Sequence, residues 1–291
     1  MKSLLGTGVA LVTPFNKDQS IDFNGLEKLV EFNIAGGVDY LVVQGTTGES
    51  PSTSAEEKKL ILERVILINN GRLPIIFGIG GNNTNEILKA FDYYDLSRVD
   101  AILSVSPYYN KPTQEGIYQH YKMIAAASPV PVILYNVPGR TASNISAETT
   151  LKLAKIENIV AVKEASGIIE QCMQIARNKP NDFLLISGDD LLTPSIFAMG
   201  GSGVISVLAN GFPAIFNEMC KAGLAGDFIS CSKQAFRLLD INPYMYSESN
   251  PVGIKHVLKE LGICDHYVRL PLLPPSQGLQ EKIRKIMNQM D

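Results

Sequence analysis

The chain has 291 residues, 45% hydrophobic and 19% charged, with 26 basic residues against 29 acidic ones and a formal net charge of −3. That length can bury a large core in one large domain or two ordinary ones, which excludes a small disulfide- or metal-stapled scaffold, and the composition argues against disorder. Near-balanced charge without a long basic run argues against a nucleic-acid or anionic-membrane partner, and a charged fraction below the roughly 25% of soluble domains points to surface covered by neighbouring elements or subunits.

The N-terminal stretch from Lys2 to Pro14 is too short for a signal peptide or membrane span, and no later segment is a long apolar run, so a soluble, cytoplasmic protein is expected. Its apolar part, Gly8–Val12, reads as a first strand. Asp22 then caps a helical stripe of Leu26, Leu29, Val30 and Ile34. Tyr40–Val43 is a second strand, and Ser54 with Glu57 forms a capping box opening a helix to Ile68. Strands at Ile75–Ile79, Ala101–Val105, Val132–Tyr135, Ile159–Lys163, Phe183–Ser187 and Val204–Val207 follow. Helices at Asn83–Leu96, Gln114–Ala126, Ser146–Ala154 and Ile168–Ala176 separate them.

The strands look apolar on both faces, as parallel strands covered by helices do. Eight of them in alternation with helices predict an α/β fold, a closed (β/α)8 TIM barrel, with an open doubly wound sheet as the competitor. Gly6 and Gly8 precede the first apolar run rather than following it, which counts against a dinucleotide fold. The remainder reads as helices at Phe212–Ala222, Phe228–Leu239, Pro251–Leu261 and Gln280–Met290, with Pro271–Pro275 as an extended linker. The expected division is a catalytic barrel over residues 1–224 and a C-terminal helical extension over 225–291, covering the outer ring or contributing to an interface.

A barrel of this kind carries its active site at the carboxyl ends of the strands. Lys163 ends Ile159-Val160-Ala161-Val162 and is expected to enter the mouth from an apolar base. Desolvation disfavours an ammonium, and a neutral amine attacks a carbonyl carbon to give a Schiff base. The plain alternative is an ion pair with Glu164 or Glu49. Tyr135 ends the preceding strand, where a phenol can shuttle protons or merely pack. Tyr108 and Tyr109 are adjacent, so at most one faces the same pocket. Gly45-Thr46-Thr47-Gly48 offers hydroxyls and N–H groups to a carboxylate, or is only a tight turn. Arg140, after Pro138-Gly139, presents a planar fork to a second carboxylate, or is a surface arginine.

His120, His256 and His266 lie in or near helices, without zinc-site spacing. Asp189 and Asp190 could bind Mg²⁺ or cap the next helix, and Gly200-Gly201-Ser202-Gly203 could cradle a phosphate or form the turn into the eighth strand. Cys172, Cys220, Cys231 and Cys264 form no C-x-x-C pair, and a reducing compartment is the easier setting.

Five motifs together carry a resemblance: Gly45-Thr46-Thr47-Gly48-Glu49, Ser106-Pro107-Tyr108-Tyr109-Asn110-Lys111-Pro112, Tyr135-Asn136-Val137-Pro138-Gly139-Arg140-Thr141, Val162-Lys163-Glu164-Ala165 and Ser187-Gly188-Asp189. Over essentially its whole length the chain resembles the dihydrodipicolinate synthase family, within the pyruvate-dependent class I aldolases that also include N-acetylneuraminate lyase. The resemblance implies a lyase that condenses pyruvate with L-aspartate 4-semialdehyde, in lysine and diaminopimelate biosynthesis. It implies a Schiff base on Lys163 and proton transfer by Tyr135, with Thr46 and Tyr109 completing the relay. In a homotetramer, a dimer of dimers, Tyr109 would enter the neighbouring subunit's site. Thr47 would hold the pyruvate carboxylate with main-chain groups near Gly188 and Ile205, and Arg140 would receive the semialdehyde carboxylate. No metal or organic cofactor is implied. The alternative within the superfamily is an N-acetylneuraminate lyase or 2-keto-3-deoxy sugar-acid aldolase using the same Schiff base; a third class is a catalytically dead barrel that serves as a binding protein.

Asn82, Glu86 and Tyr108 match positions lining an inhibitory lysine pocket in sensitive members of that family. Ala55 and Lys58 stand where the best-known bacterial pattern has histidines. Lys58 would add positive charge near the ligand's cationic end or pair with an acid there.

Overall fold

In the computed structural model, which describes residues 4–290, eight parallel strands close into a barrel in sequence order, each hydrogen-bonded to its chain neighbours and β1 to β8. The strands are β1 (Gly6–Ala10), β2 (Tyr40–Val43), β3 (Ile75–Gly78), β4 (Ala101–Val105), β5 (Val132–Asn136), β6 (Ile159–Glu164), β7 (Leu184–Ser187) and β8 (Gly203–Ser206). The helices between them are α1 (Phe23–Ala35), α2 (Ala55–Asn69), α3 (Thr84–Tyr93), α4 (Gln114–Ala127), the one-turn α5 (Pro138–Thr141), α6 (Ala147–Leu153), α7 (Ile169–Asn178) and α8 (Thr193–Ala198). After β8 come α9 (Pro213–Leu224), α10 (Phe228–Arg237), α11 (Val252–Glu260) and α12 (Gln277–Met287). The expected segments 1–224 and 225–291 reach outside the described residues at positions 1–3, Lys2 included, and at 291.

Local chemistry explains most element starts. Asp22 accepts from the Gly25 N–H, Ser54 and Glu57 close the capping box on α2, and Ser276 accepts from Leu279 to start α12 three residues earlier than its apolar stripe suggests. The first strand also begins two residues earlier than expected, because glycine there serves closure rather than a preceding turn. A Cβ on Gly8 would lie 2.0 Å from the Tyr40 ring, and one on Gly203 would lie 2.1 Å from the Gly6 carbonyl oxygen. Large residues fill the barrel only where a neighbouring strand gives up its side chain.

Two apolar layers result. Residues such as Val42, Ile76, Leu103, Ile133, Tyr135, Ala161, Ile186 and Ile205 fill the barrel interior, while a larger cluster packs between strands and helices. Alternation breaks once, at β6. Val132 pairs with Ile159 but Ile133 pairs with Ala161, so β6 carries one extra residue at this point. Ile159 and Val162 face the helices, whereas Val160 and Ala161 both join the interior cluster. This β-bulge inverts the parity of everything after it. Among the described residues no helix is long and apolar enough to cross a membrane.

His120 on α4 is buried, with Nδ1 on the Thr84 hydroxyl and Nε2 unpartnered, and burial pulls its imidazole down to about 4. Its neutral form therefore contributes stability that is complete above the unfolded value of about 6.5 and declines as pH falls from there to about 4. Urea-unfolding free energies should drop by about 3 kcal/mol over that interval on its account, and His120→Gln should lack this portion. Equal slopes for the two proteins would contradict it.

Candidate active site

Register brings the predicted pair together. Tyr135 pairs with Lys163 and Asn136 with Glu164 across β5 and β6. Tyr135 and Lys163 point into the barrel, and the Lys163 amine lies 4.4 Å from the centroid of the Tyr135 ring. Lys163 is buried, and neither carboxylate offered as an alternative partner pairs with it. Glu164 faces the helices, where its oxygens accept from Asn136 Nδ2 (2.9 and 3.1 Å), the Ser166 N–H (2.7 Å) and Gln171 Nε2 (2.9 Å). Glu49 pairs with Lys255 of α11. The Lys163 amine thus has no hydrogen bond or ion pair among the described residues.

A cavity of about 290 Å³ opens at the carboxyl ends of the strands, lined by Thr46, Lys58, Tyr108, Tyr135, Arg140 and Thr141 among others. Arg140 sits in α5, whose backbone turns back through Arg140 N–H to Val137 carbonyl (2.9 Å) and Ala142 N–H to Pro138 carbonyl (2.9 Å). Of the two adjacent tyrosines, Tyr108 faces this cavity; Tyr109, at φ 72°, is 89% exposed and does not. Thr47 is buried beside the cavity, its hydroxyl oxygen accepting from Asn250 Nδ2 at 3.1 Å. That bond leaves the Thr47 O–H free to donate elsewhere.

The Gly188 N–H donates to the Glu164 carbonyl at 2.8 Å, so it is not a free donor for a carboxylate. What Gly188 provides is room: a Cβ there would lie 3.2 Å from Lys163 Cε and 2.6 Å from the Ala165 Cβ. Ile205 belongs to the apolar interior opposite Gly8 of β1.

The aspartates do not cap α8 as expected. Asp189 accepts from Leu191 and Leu192 in the turn before that helix, and Asp190 accepts from the Leu208 N–H at 2.9 Å. Asp190 is buried, its second oxygen without a hydrogen-bond partner among the described residues; burial pushes it up to about 6, opposed by the Leu208 N–H and the Ser206 hydroxyl and least by Lys163. Gly200 (φ 90°) and Gly203 form the turn into β8, the plain reading of that glycine run. Among the described residues no group of three His, Cys, Asp or Glu side chains is arranged to hold a metal ion.

The sequence reading missed the part played by the C-terminal extension at the mouth. Lys255 is fully buried, pairs with Glu49, donates to the Tyr267 carbonyl at 2.7 Å and lies 4.3 Å from the Phe15 ring centroid. The Arg269 N–H donates to the second Glu49 oxygen, and the Arg269 guanidinium holds the Glu57 carboxyl down at about 2. Tyr246 lies in the same field: burial pushes its phenol up, Asp190, Asp189 and Tyr135 add to this, and Arg140 opposes it. Asn250, Lys255 and Arg269 lie in stretches that read as ordinary loops or helix, with no local signal for these contacts.

A strand-end lysine free of counter-ion, touching a phenol beside a polar mouth, is arranged to form and protonate an imine. The profile of the dihydrodipicolinate synthetase family matches residues 3–290. The chain belongs to that family. It is 52% identical over 285 residues to the 4-hydroxy-tetrahydrodipicolinate synthase of Cytophaga hutchinsonii, spanning 98% of this chain and 96% of that one. Its fold superposes on the dihydrodipicolinate synthase of Acinetobacter baumannii, chloride-inhibited and complexed with pyruvate, with a TM-score of 0.96, 39% identity and 99% of each chain covered. The enzyme of Cyanidioschyzon merolae with lysine bound gives 0.93 and 36%, with 97% of each chain covered.

The Glu49–Lys255 pair fixes the Thr46–Thr47 turn to α11. Lys255→Met should leave a buried carboxylate unpaired and lower unfolding stability by about 3–5 kcal/mol, with Glu49→Gln on that background recovering part of the loss. Chemical denaturation followed by circular dichroism measures both. A Lys255→Met protein as stable as the parent would remove the pair from any structural role.

Proposed function

We propose that this chain is a lyase condensing pyruvate with L-aspartate 4-semialdehyde to give 4-hydroxy-2,3,4,5-tetrahydrodipicolinate. The observation that carries this reading is the buried, unpaired Lys163 amine against the Tyr135 ring, in a chain whose mouth also presents Thr46 and Arg140. The Lys163 nitrogen adds to the pyruvate ketone and water leaves, giving a cationic iminium. The iminium accepts the electrons released when a methyl proton departs, so the lysine itself is the electron sink and no resident cofactor is called for.

The resulting enamine carbon attacks the semialdehyde carbonyl, and Tyr135 and Thr46 deliver a proton to the new alkoxide. The substrate amine then attacks the imine carbon and displaces Lys163 as the ring closes. Thr47, its oxygen already bonded by Asn250, donates its O–H to the pyruvate carboxylate. Gly188 keeps space for the lysine stem, and Ile205 closes the apolar base. Arg140 pairs with the semialdehyde carboxylate through its planar fork.

Tyr109, almost wholly exposed at a positive φ, supplies the third member of the proton relay to a second copy of the chain. Exposed apolar residues on α10, Ile229 and Phe236, support assembly of several copies, and a homotetramer built as a dimer of dimers is the proposed form. The larger cavity, about 590 Å³, contains Asn82, Glu86, Tyr108 and Lys58 and is the proposed effector site for lysine. Lys58 and Tyr108 line this cavity and the smaller one alike. Lys58 has no side-chain hydrogen bond or ion pair among the described residues, and burial pulls the pKa of its ammonium down. Glu86, now on Lys89, would offer a carboxylate to a ligand amine, and Lys58 would add positive charge to the same cavity.

Borohydride with pyruvate should add a covalent mass at Lys163 that Lys163→Ala abolishes, and an adduct persisting in that variant would remove the mechanism. Arg140→Ala should keep the adduct yet lower kcat/KM for the semialdehyde roughly a hundredfold. Equal loss of both functions would reject its role, and faster turnover of N-acetylneuraminate or 2-keto-3-deoxygluconate would favour a sugar-acid aldolase. Titrating free lysine into the condensation assay should depress turnover, and Glu86→Ala should blunt the response; flat activity up to high lysine would leave the larger cavity without this effector.

A further inference from the structure

Arg140 is exposed and lines the cavity; its side chain has no hydrogen bond or ion pair among the described residues and only shares the field of the Tyr246 phenol, so its position follows that of its backbone. That backbone is a closed loop. Inside it, Thr141 Oγ1 donates to the Ser143 carbonyl at 2.7 Å, and Ala142 takes φ 53°, which lets α5 stop after one turn. The loop is fastened at its two ends rather than along its length. Asn136, the last residue of β5, donates from Nδ2 to Asn144 Oδ1 (2.8 Å) and accepts from the Ile145 N–H (2.9 Å).

Asn144 is held in turn from α7, where its Nδ2 donates to Gln171 Oε1 at 2.8 Å. Gln171 Nε2 donates to Glu164 Oε2 at 2.9 Å, and Glu164 accepts from Asn136, which closes a ring of four side chains. Asn136, Glu164 and Gln171 are buried. Every hydrogen bond in the ring runs from an amide N–H to an oxygen, and among the described residues the carboxylate has no cation of its own; the side-chain amides and the Ser166 backbone N–H satisfy it. On the solvent side Gln114 of α4 donates to the Asn144 carbonyl (2.8 Å) and accepts from the Ser146 N–H (3.1 Å).

We propose that Gln171, acting through Asn144, Asn136 and Glu164, is a positioning residue for Arg140, so that recognition of the second substrate depends on a helix touching neither substrate. The inference rests on the reading of Arg140 as the semialdehyde-carboxylate partner. Removing the Gln171 amide leaves both Asn144 and Glu164 short of a partner in a buried network, and such networks repair themselves by moving. The free end is the loop end at Asn144. A displacement there reaches the Arg140 fork directly, because the fork has no hydrogen bond or ion pair of its own among the described residues, while Lys163 and Tyr135 remain fixed by the strand ladder.

Gln171→Met keeps length while deleting donor and acceptor. It should raise KM for the semialdehyde about tenfold, with KM for pyruvate and the borohydride-trapped adduct at Lys163 changed less than about twofold. On an Arg140→Ala background the same substitution should cost semialdehyde kcat/KM less than about a further twofold, since the residue it acts through is gone. Additive losses on that background, or pyruvate trapping that falls in step with semialdehyde use, would overturn the positioning role. If Gln171→Met does not fold, Gln114→Met at the exposed end takes its place in the same cycle under the same criteria. A parent enzyme that fails to trap pyruvate or to use the semialdehyde rejects the proposed function itself. A parent that does both, with an additive cycle, rejects only the role of Gln171.

Discussion

One extra residue in β6 determines which way Lys163 faces. Counting from Ile159, which faces the helices, strict alternation would turn Val160 inward, Ala161 outward, Val162 inward and Lys163 outward into the helical layer. The bulge at Val160 and Ala161 puts both inward, so that Val162 faces out, Lys163 enters the barrel opposite Tyr135 and Glu164 enters the helical layer opposite Asn136. The same inversion separates chemistry from scaffolding. The amine and phenol share the interior, whereas the carboxylate and amides lie behind them and fasten the loop that carries Arg140.

Keeping the amine free requires that every nearby carboxylate be satisfied elsewhere, and the fold does this in three ways. Glu49 is neutralised by a buried lysine from α11. Glu164 is solvated by amide and backbone N–H groups. Asp190, which has one backbone donor and an oxygen without a partner, is pushed by burial toward its protonated form. An isolated charge in such surroundings is costly, so each arrangement also pins a turn: Glu49 the turn after β2, Glu164 the exit of β6, and Asp190, from the turn after β7, the turn after β8.

The barrel was legible because eight apolar runs recur between amphipathic helices, and the Lys163–Tyr135 pairing followed from their places at neighbouring strand ends. The bulge left no trace: Ile159, Val160, Ala161 and Val162 are all apolar, so their facing cannot be read from pattern. The choice between Tyr108 and Tyr109 depended on a positive φ at Tyr109, which two adjacent tyrosines do not announce. The place of Asp190 was not legible either, because it bonds across to the turn after β8, eighteen residues on, instead of capping the helix that follows it. Asn250 and Lys255 reach Thr47 and Glu49 from more than two hundred residues away, and no local rule carries that distance.

Backbone conformation supplies the reason the C-terminal extension reaches the mouth. Gln44 (φ 58°) and Glu49 (φ 56°) flank the Thr46–Thr47 turn in the left-handed region, where a residue with a side chain costs roughly 1–3 kcal/mol and glycine would be easier. Glycine, however, would have nothing with which to hold the turn. The Gln44 amide donates to Thr13 and accepts from Thr53, and the Glu49 carboxylate takes Lys255 and the Arg269 N–H. The strain is thus offset by bonds that only those side chains can make, and two of the partners come from beyond residue 225. The extension therefore supplies the anchors that hold the threonine pair beside the lysine, and its own apolar residues, such as Cys231, Ile254 and Val257, belong to the same core cluster as the outer faces of the strands.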